Sequence, residues 1–152
     1  MIDEGEIVPK FQLEDADGKI VKSSQFKGKR FVVYFYPRDF TPGCTTEADE
    51  FSKDYKKFQK EGIEIIGISK DDVTSHRKFC DKMEIPYILL ADVETEVCKK
   101  FGVWGLKKFM GREFMGINRS TFLVNEKGKI FKVFPKVKPK GHAKEVLEEF
   151  QK

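Results

Sequence analysis

Hydrophobic residues fall in short runs separated by polar, turn-forming stretches. Phe11 to Leu13 and Lys19 to Val21 flank Asp15-Ala-Asp-Gly18, a turn signal, so the chain is expected to open with a β-hairpin. Phe31-Val-Val-Tyr-Phe-Tyr36 is a continuous apolar run, as a strand buried on both faces requires, and Ile63 to Ser69 is a second. Between them Ala48, Phe51, Tyr55 and Phe58 recur at three- and four-residue steps, which predicts a helix with one apolar face. Glu47, Asp49 and Glu50 are expected at its beginning and Lys56, Lys57 and Lys60 at its end, the order the helix dipole favours. Strand, helix, strand is then a right-handed parallel crossover.

Further along, residues 71–83 read as a second helix with Val73, His76, Phe79, Cys80 and Met83 on one side. A strand is expected within 85–91 and a short helix over 94–101, carrying Val97, Cys98 and Phe101. Ser120 to Val124 and Ile130 to Phe134 flank Asn125-Glu-Lys-Gly128, a second hairpin. A last helix is expected over about 141–150. With no repeat and no linker, the pattern is that of one α/β domain spanning 1–152.

Composition narrows the function classes. Hydrophobic residues at 39% and charged residues at 36% fit a globular chain, not a disordered one. No apolar run approaches the ~18 residues of a membrane span. The acidic N-terminus lacks the pattern of a secretory signal, so a cytoplasmic location is expected. The net charge of +4 is a mild excess, and the one basic cluster, Lys132 to Lys144, reads as a solvated surface, so no nucleic-acid partner is expected. The three cysteines include no C-x-x-C pair, and His76 and His142 stand at no ligand spacing to them, so neither a disulfide framework nor a metal site is expected.

Cys44 stands apart by its setting. It follows the first buried run, in a stretch reading strand, tight turn, helix start. Free backbone N–H groups and the helix dipole there favour negative charge, and a thiol so placed can ionise well below its free pKa of ~8.5. Pro37, Pro42 and Gly43 fix a turn whose backbone can face an anion, and Thr41 adds a hydroxyl. The carboxyl end of a strand is also where open α/β sheets place their sites. A small buried hydrophobe is the plainer reading of any lone cysteine, and a Cys–His–Asn hydrolase is another, although neither histidine has a suggestive context.

The pattern Pro37-x-x-x-Thr41-x-x-Cys44 resembles the active-site signature of peroxiredoxins. The longer Thr41-Pro-Gly-Cys-Thr-Thr-Glu-Ala48 is similar to the bacterioferritin comigratory protein, or peroxiredoxin Q, subgroup, as are Gly102-Val-Trp-Gly105 and Gly116-Ile-Asn-Arg-Ser-Thr-Phe-Leu-Val124. The resemblance runs from about Gly5 to Phe150. It implies a thioredoxin-like fold, a central mixed β-sheet flanked by helices, and cofactor-free reduction of hydrogen peroxide and organic hydroperoxides. Cys44 would be the peroxidatic thiolate, oxidised to a sulfenic acid. Thr41, the amides of Gly43 and Cys44, and Arg119 would stabilise the departing oxygen, and Glu47 would hold Arg119.

A second thiol normally condenses with the sulfenic acid before it overoxidises. Many subgroup members carry it five residues on; here that residue is Asp49. In another branch it lies on the second helix, in a context like His76-Arg-Lys-Phe-Cys80, which makes Cys80 the candidate resolving cysteine and leaves Cys98 structural. Cys80 as plain core is the competing reading. Two thiols on separate helices are expected to start beyond the ~4.4–6.8 Å Cα separation of a disulfide, so the start of the Cys44 helix should unravel in turnover. Thioredoxin or a glutaredoxin-like protein would reduce the disulfide, and the resemblance implies a monomer with at most weak dimerisation. The alternatives are a one-cysteine peroxidase resolved by an external thiol, and a non-catalytic thioredoxin-like binding or holdase module.

Overall fold

The computed structural model describes residues 1–152. Nine strands and four α-helices follow in the order β1 (Gln12–Asp15), β2 (Ile20–Lys22), β3 (Arg30–Phe35), α1 (Pro42–Lys60), β4 (Ile63–Ser69), α2 (Val73–Met83), β5 (Ile88–Ala91), α3 (Glu96–Phe101), β6 (Trp104–Phe109), β7 (Arg112–Ile117), β8 (Ser120–Val124), β9 (Ile130–Phe134) and α4 (His142–Phe150). Seven strands form one mixed sheet in the order β2-β1-β5-β4-β3-β8-β9. β3, β4 and β5 run parallel, as their α1 and α2 crossovers demand. The opening hairpin adds antiparallel to β5, and the β8–β9 hairpin adds antiparallel to β3. No helix is long and apolar enough to cross a membrane.

Strand alternation sorts the core into two halves. Val32, Tyr34 and Tyr36 point to one face, where they meet Ala48, Phe51 and Phe58 of α1, Phe79 and Cys80 of α2, and Val146 and Leu147 of α4. Phe31, Val33 and Phe35 point to the other, against Val97, Cys98 and Phe101 of α3. β3 lies inside the sheet between β4 and β8 and is buried on both faces, which is why its sequence does not alternate. Gly67 in β4 leaves room for the Tyr34 ring and Leu89: a Cβ there would lie 2.8 Å from each.

One expectation is corrected, and one element lies where the sequence pattern predicts none. α1 begins at Pro42, so Glu47, Asp49 and Glu50 lie beyond its first turn, which contains no acidic residue. The expected acidic start therefore did not mark the boundary; proline at the first helical position does, its fixed φ and missing N–H costing nothing there. The β6–β7 hairpin was also not foreseen. Its turn uses left-handed backbone at Met110 and Gly111, and its strands expose Leu106, Phe109, Phe114 and Met115, so no buried face disciplines their pattern.

Candidate active site

The chain leaves β3 between β4 and β8, runs through Tyr36 to Phe40 and turns into α1. Thr41 is the N-cap residue, with extended backbone, and Pro42 and Gly43 fill the first two helical positions. Cys44 is the third. The amides of Gly43 and Cys44 have no partner within the chain, since residues four earlier lie outside the helix. The Thr41 hydroxyl donates to Arg38 O at 2.9 Å and caps nothing, which leaves its oxygen free to accept.

Arg119 arrives from the far end of the sequence. It sits between β7 and β8, and the β3–β8 register pairs Phe35 with Ser120, so residue 119 falls beside the end of β3. Its Nη2 donates to Cys44 Sγ at 3.3 Å and its Nη1 donates to Glu47 Oε1 at 2.7 Å. Glu47 stands three residues after Cys44, on the same side of α1. The structure thus brings Cys44, Arg119 and Glu47 into one chain of contacts. Gly43 makes the approach possible: a Cβ at that position would lie 3.0 Å from Arg119 Nη2 and 3.4 Å from Pro139 Cγ.

Burial shapes the electrostatics. Cys44 is 2% exposed and Glu47 1%. Burial works against the Arg119 charge, but Glu47 and Cys44 outweigh it and push its pKa up. For Glu47 the balance goes the other way: burial raises its pKa from 4.5 to about 7 in spite of Arg119. A 2.7 Å ion pair by itself argues for an ionised carboxylate. Burial wins because only one oxygen is paired, and Oε2 has no hydrogen-bond partner. An open cleft of about 630 Å3 lies beside Arg119, lined also by Lys107, Asn118, Pro135 and Lys136. Lys107 Nζ donates to Ile117 O at 2.9 Å, and burial, then the Arg119 charge, lowers its pKa.

The other two thiols lie on opposite sides of the sheet. Cys80, in the last turn of α2, belongs to the same core half as Cys44. Burial raises its pKa from 9.0 to about 11, with the Arg77 charge offsetting part of the rise. Cys98 belongs to the other half, and burial, with Asp92 close by, pushes its thiol up.

Sequence reasoning missed one feature here, a buried polar cluster between the 36–40 segment and α2. Asp39 Oδ1 accepts from the Tyr36 phenol at 2.6 Å, and Oδ2 accepts from Ser75 Oγ at 2.8 Å. His76 Nδ1 lies 2.8 Å from the same Oδ2. Asp71 Oδ2 accepts from the Asp39 amide at 2.8 Å and from Ser69 Oγ at 2.6 Å. Ligand atoms of Asp39, Asp71 and His76 lie within 4.8 Å of one another, and both Asp39 oxygens and Asp71 Oδ2 already accept hydrogen bonds within the protein. The signal available in sequence was a histidine on the apolar face of α2, which called for a buried partner.

The AhpC/TSA family pattern matches residues 5–133. The chain is 45% identical over 147 residues to Peroxiredoxin Bcp of Bacillus subtilis, covering 97% of this chain and 94% of that protein. Among solved structures it resembles Xanthomonas campestris Bacterioferritin Comigratory Protein, with 36% identity and a TM-score of 0.88, over 93% of this chain and 90% of that one. It also resembles Xylella fastidiosa PrxQ, with 32% identity and a TM-score of 0.94, over 99% and 96% of the two chains.

Proposed function

This chain belongs to the AhpC/TSA family and within it to the Bcp/PrxQ peroxiredoxins, which are thiol-dependent peroxidases of thioredoxin-like fold, and from that premise we propose that Cys44 is the sulfur peroxide oxidises and Cys80 the thiol that resolves it. The observation that carries the choice of Cys80 is the division of the core. Cys44 and Cys80 share one face of the sheet, and Cys98 lies across it. A disulfide to Cys98 would have to pass through the strands.

In the first step the Cys44 thiolate attacks the distal oxygen of the hydroperoxide. The S–O bond forms, the O–O bond breaks, and the alkoxide or hydroxide leaves with the electron pair and takes up a proton. Arg119 beside the sulfur and the free amides of Gly43 and Cys44 are donors placed for the charge that moves. Pro37 and Pro42 set the turn that presents them. Glu47 acts through Arg119, holding the guanidinium in position.

In the second step the Cys80 thiolate attacks the sulfenic sulfur; the S–S bond forms, the S–O bond breaks, and the departing hydroxide takes up a proton and leaves as water. Its raised pKa bears on this step. Moving from about 11 back to 9.0 on exposure increases the thiolate fraction near neutral pH by about a hundredfold. Local opening therefore brings the sulfurs together and also activates Cys80. An external dithiol, thioredoxin or a glutaredoxin-like protein, then reduces the exposed disulfide by exchange. Both core halves share one sheet, which supports reading residues 1–152 as a single domain. Hydrogen peroxide and organic hydroperoxides are the substrates this site suits.

The test is the mass of the reduced protein after one equivalent of peroxide. Loss of ~2 Da is expected, for an internal disulfide; Cys80→Ser should convert it to a gain of ~16 Da, for a sulfenic acid. Peroxide consumption should vanish in Cys44→Ser. An unchanged ~2 Da loss in Cys80→Ser removes Cys80 from the mechanism.

A further inference from the structure

The buried cluster around Asp39 joins the loop before Cys44 to α2, the helix that carries Cys80. Asp39 lies five residues before Cys44, and His76 one helical turn before Cys80 on the same face of α2. Asp39 is 4% exposed and His76 0%. Leu90 O, 2.9 Å from His76 Nε2, can only accept, so that nitrogen carries a hydrogen. The 2.8 Å contact of Nδ1 with Asp39 needs one proton, which either atom can hold. Ser75 Oγ adds a second link from α2 to the carboxylate, and the Tyr36 phenol fills the remaining oxygen, so every polar atom of the Asp39 carboxylate is engaged. The Asp39 amide is held separately by Asp71.

The residue after this anchor is strained. Phe40 has φ of 66°, in the left-handed region that bulky side chains rarely adopt. Its ring is half-exposed and packs edge-on against Phe79 at 5.1 Å. Thr41 and the first turn of α1 follow directly. Left-handed backbone at 40 is held from one side by the Asp39 cluster and from the other by α1. Release of the α1 turn would free Phe40 to return to negative φ, a change that the bonds on Asp39 oppose.

We propose that Asp39, with Ser75 and His76, is a latch that holds the Cys44 loop closed, and so sets how often oxidised Cys44 is resolved before a second peroxide overoxidises it. These are positioning residues; none touches the sulfur. The partition part of the proposal rests on Cys80 being the resolving thiol. The closure part does not.

Two readouts separate those parts. Ser75→Ala removes one hydrogen bond to the carboxylate from a half-buried position and leaves the fold intact; Ser75→Thr restores the hydroxyl. Hydrogen exchange in the reduced protein should rise about tenfold for the amides of 39–46 in the Ala variant, a typical effect of one hydrogen bond to a charged group, and return in the Thr variant. Central amides of β3 and β4 should not change. In stopped-flow oxidation, disulfide formation should accelerate by a similar factor, and sulfinic acid per turnover at high peroxide should fall. Unchanged exchange at 39–46 means the bonds persist through opening and overturns the latch. Faster exchange without faster disulfide formation, in protein whose mass proves the Cys44–Cys80 bond, overturns the partition. If that mass instead shows no such bond, the assignment of Cys80 fails, and the exchange result alone decides closure.

Discussion

Glu47→Gln probes the balance between burial and pairing at the site. The substitution keeps an oxygen to accept from Arg119 and removes a charge that burial opposes. The rise from 4.5 to about 7, at about 1.4 kcal/mol per pH unit, corresponds to about 3 kcal/mol. Its sign follows from proton counting. Between 4.5 and about 7 the folded protein holds a proton that the unfolded chain has released, so this group's contribution is full below 4.5 and is lost as pH rises to about 7. The Gln variant has no such proton. Urea unfolding of both reduced proteins from about pH 4 to 8 cancels the titrations of groups not coupled to Glu47 in the difference. Wild-type stability relative to the variant should fall by about 3 kcal/mol across the window and stay level above it. A flat difference refutes the reasoning. A rising one means that Arg119 outweighs burial and that the ionised pair is the stable state throughout.

Three further outcomes test the geometry. Arg119→Met should slow the peroxide step by about 10²–10³-fold in stopped-flow, the usual effect of losing a donor aimed at developing charge. Gly43→Ala puts a methyl 3.0 Å from Arg119 Nη2, so it should slow the same step by about tenfold or more while far-ultraviolet circular dichroism stays unchanged. Gly67→Ala should act on stability alone. Its Cβ would meet Tyr34 and Leu89 at 2.8 Å, and overpacking of that kind costs about 1–3 kcal/mol, read as a lowered melting temperature with the peroxide rate intact.

Elements whose residues face a core could be read directly from the order of residues. Continuous apolar runs gave the central strands, and three- and four-residue spacing gave α1, α2 and α4, because burial imposes those periods directly. That order also singled out Cys44, since a thiol at a strand-to-helix turn is a local feature. The β6–β7 hairpin escaped because it lacks a buried face to leave a pattern. Tertiary structure alone decided how distant residues meet. The antiparallel register of β8 on β3 brings Arg119 to Cys44 across 75 residues, and the pleat of the sheet puts Cys80 on the Cys44 side and Cys98 on the other. The same holds for the Asp39 cluster, whose members come from the segment after β3, from β4 and the turn that follows it, and from α2. Local sequence carries backbone preference and periodicity; strand order, register and the identity of a buried partner arise only when the whole sheet closes over its helices.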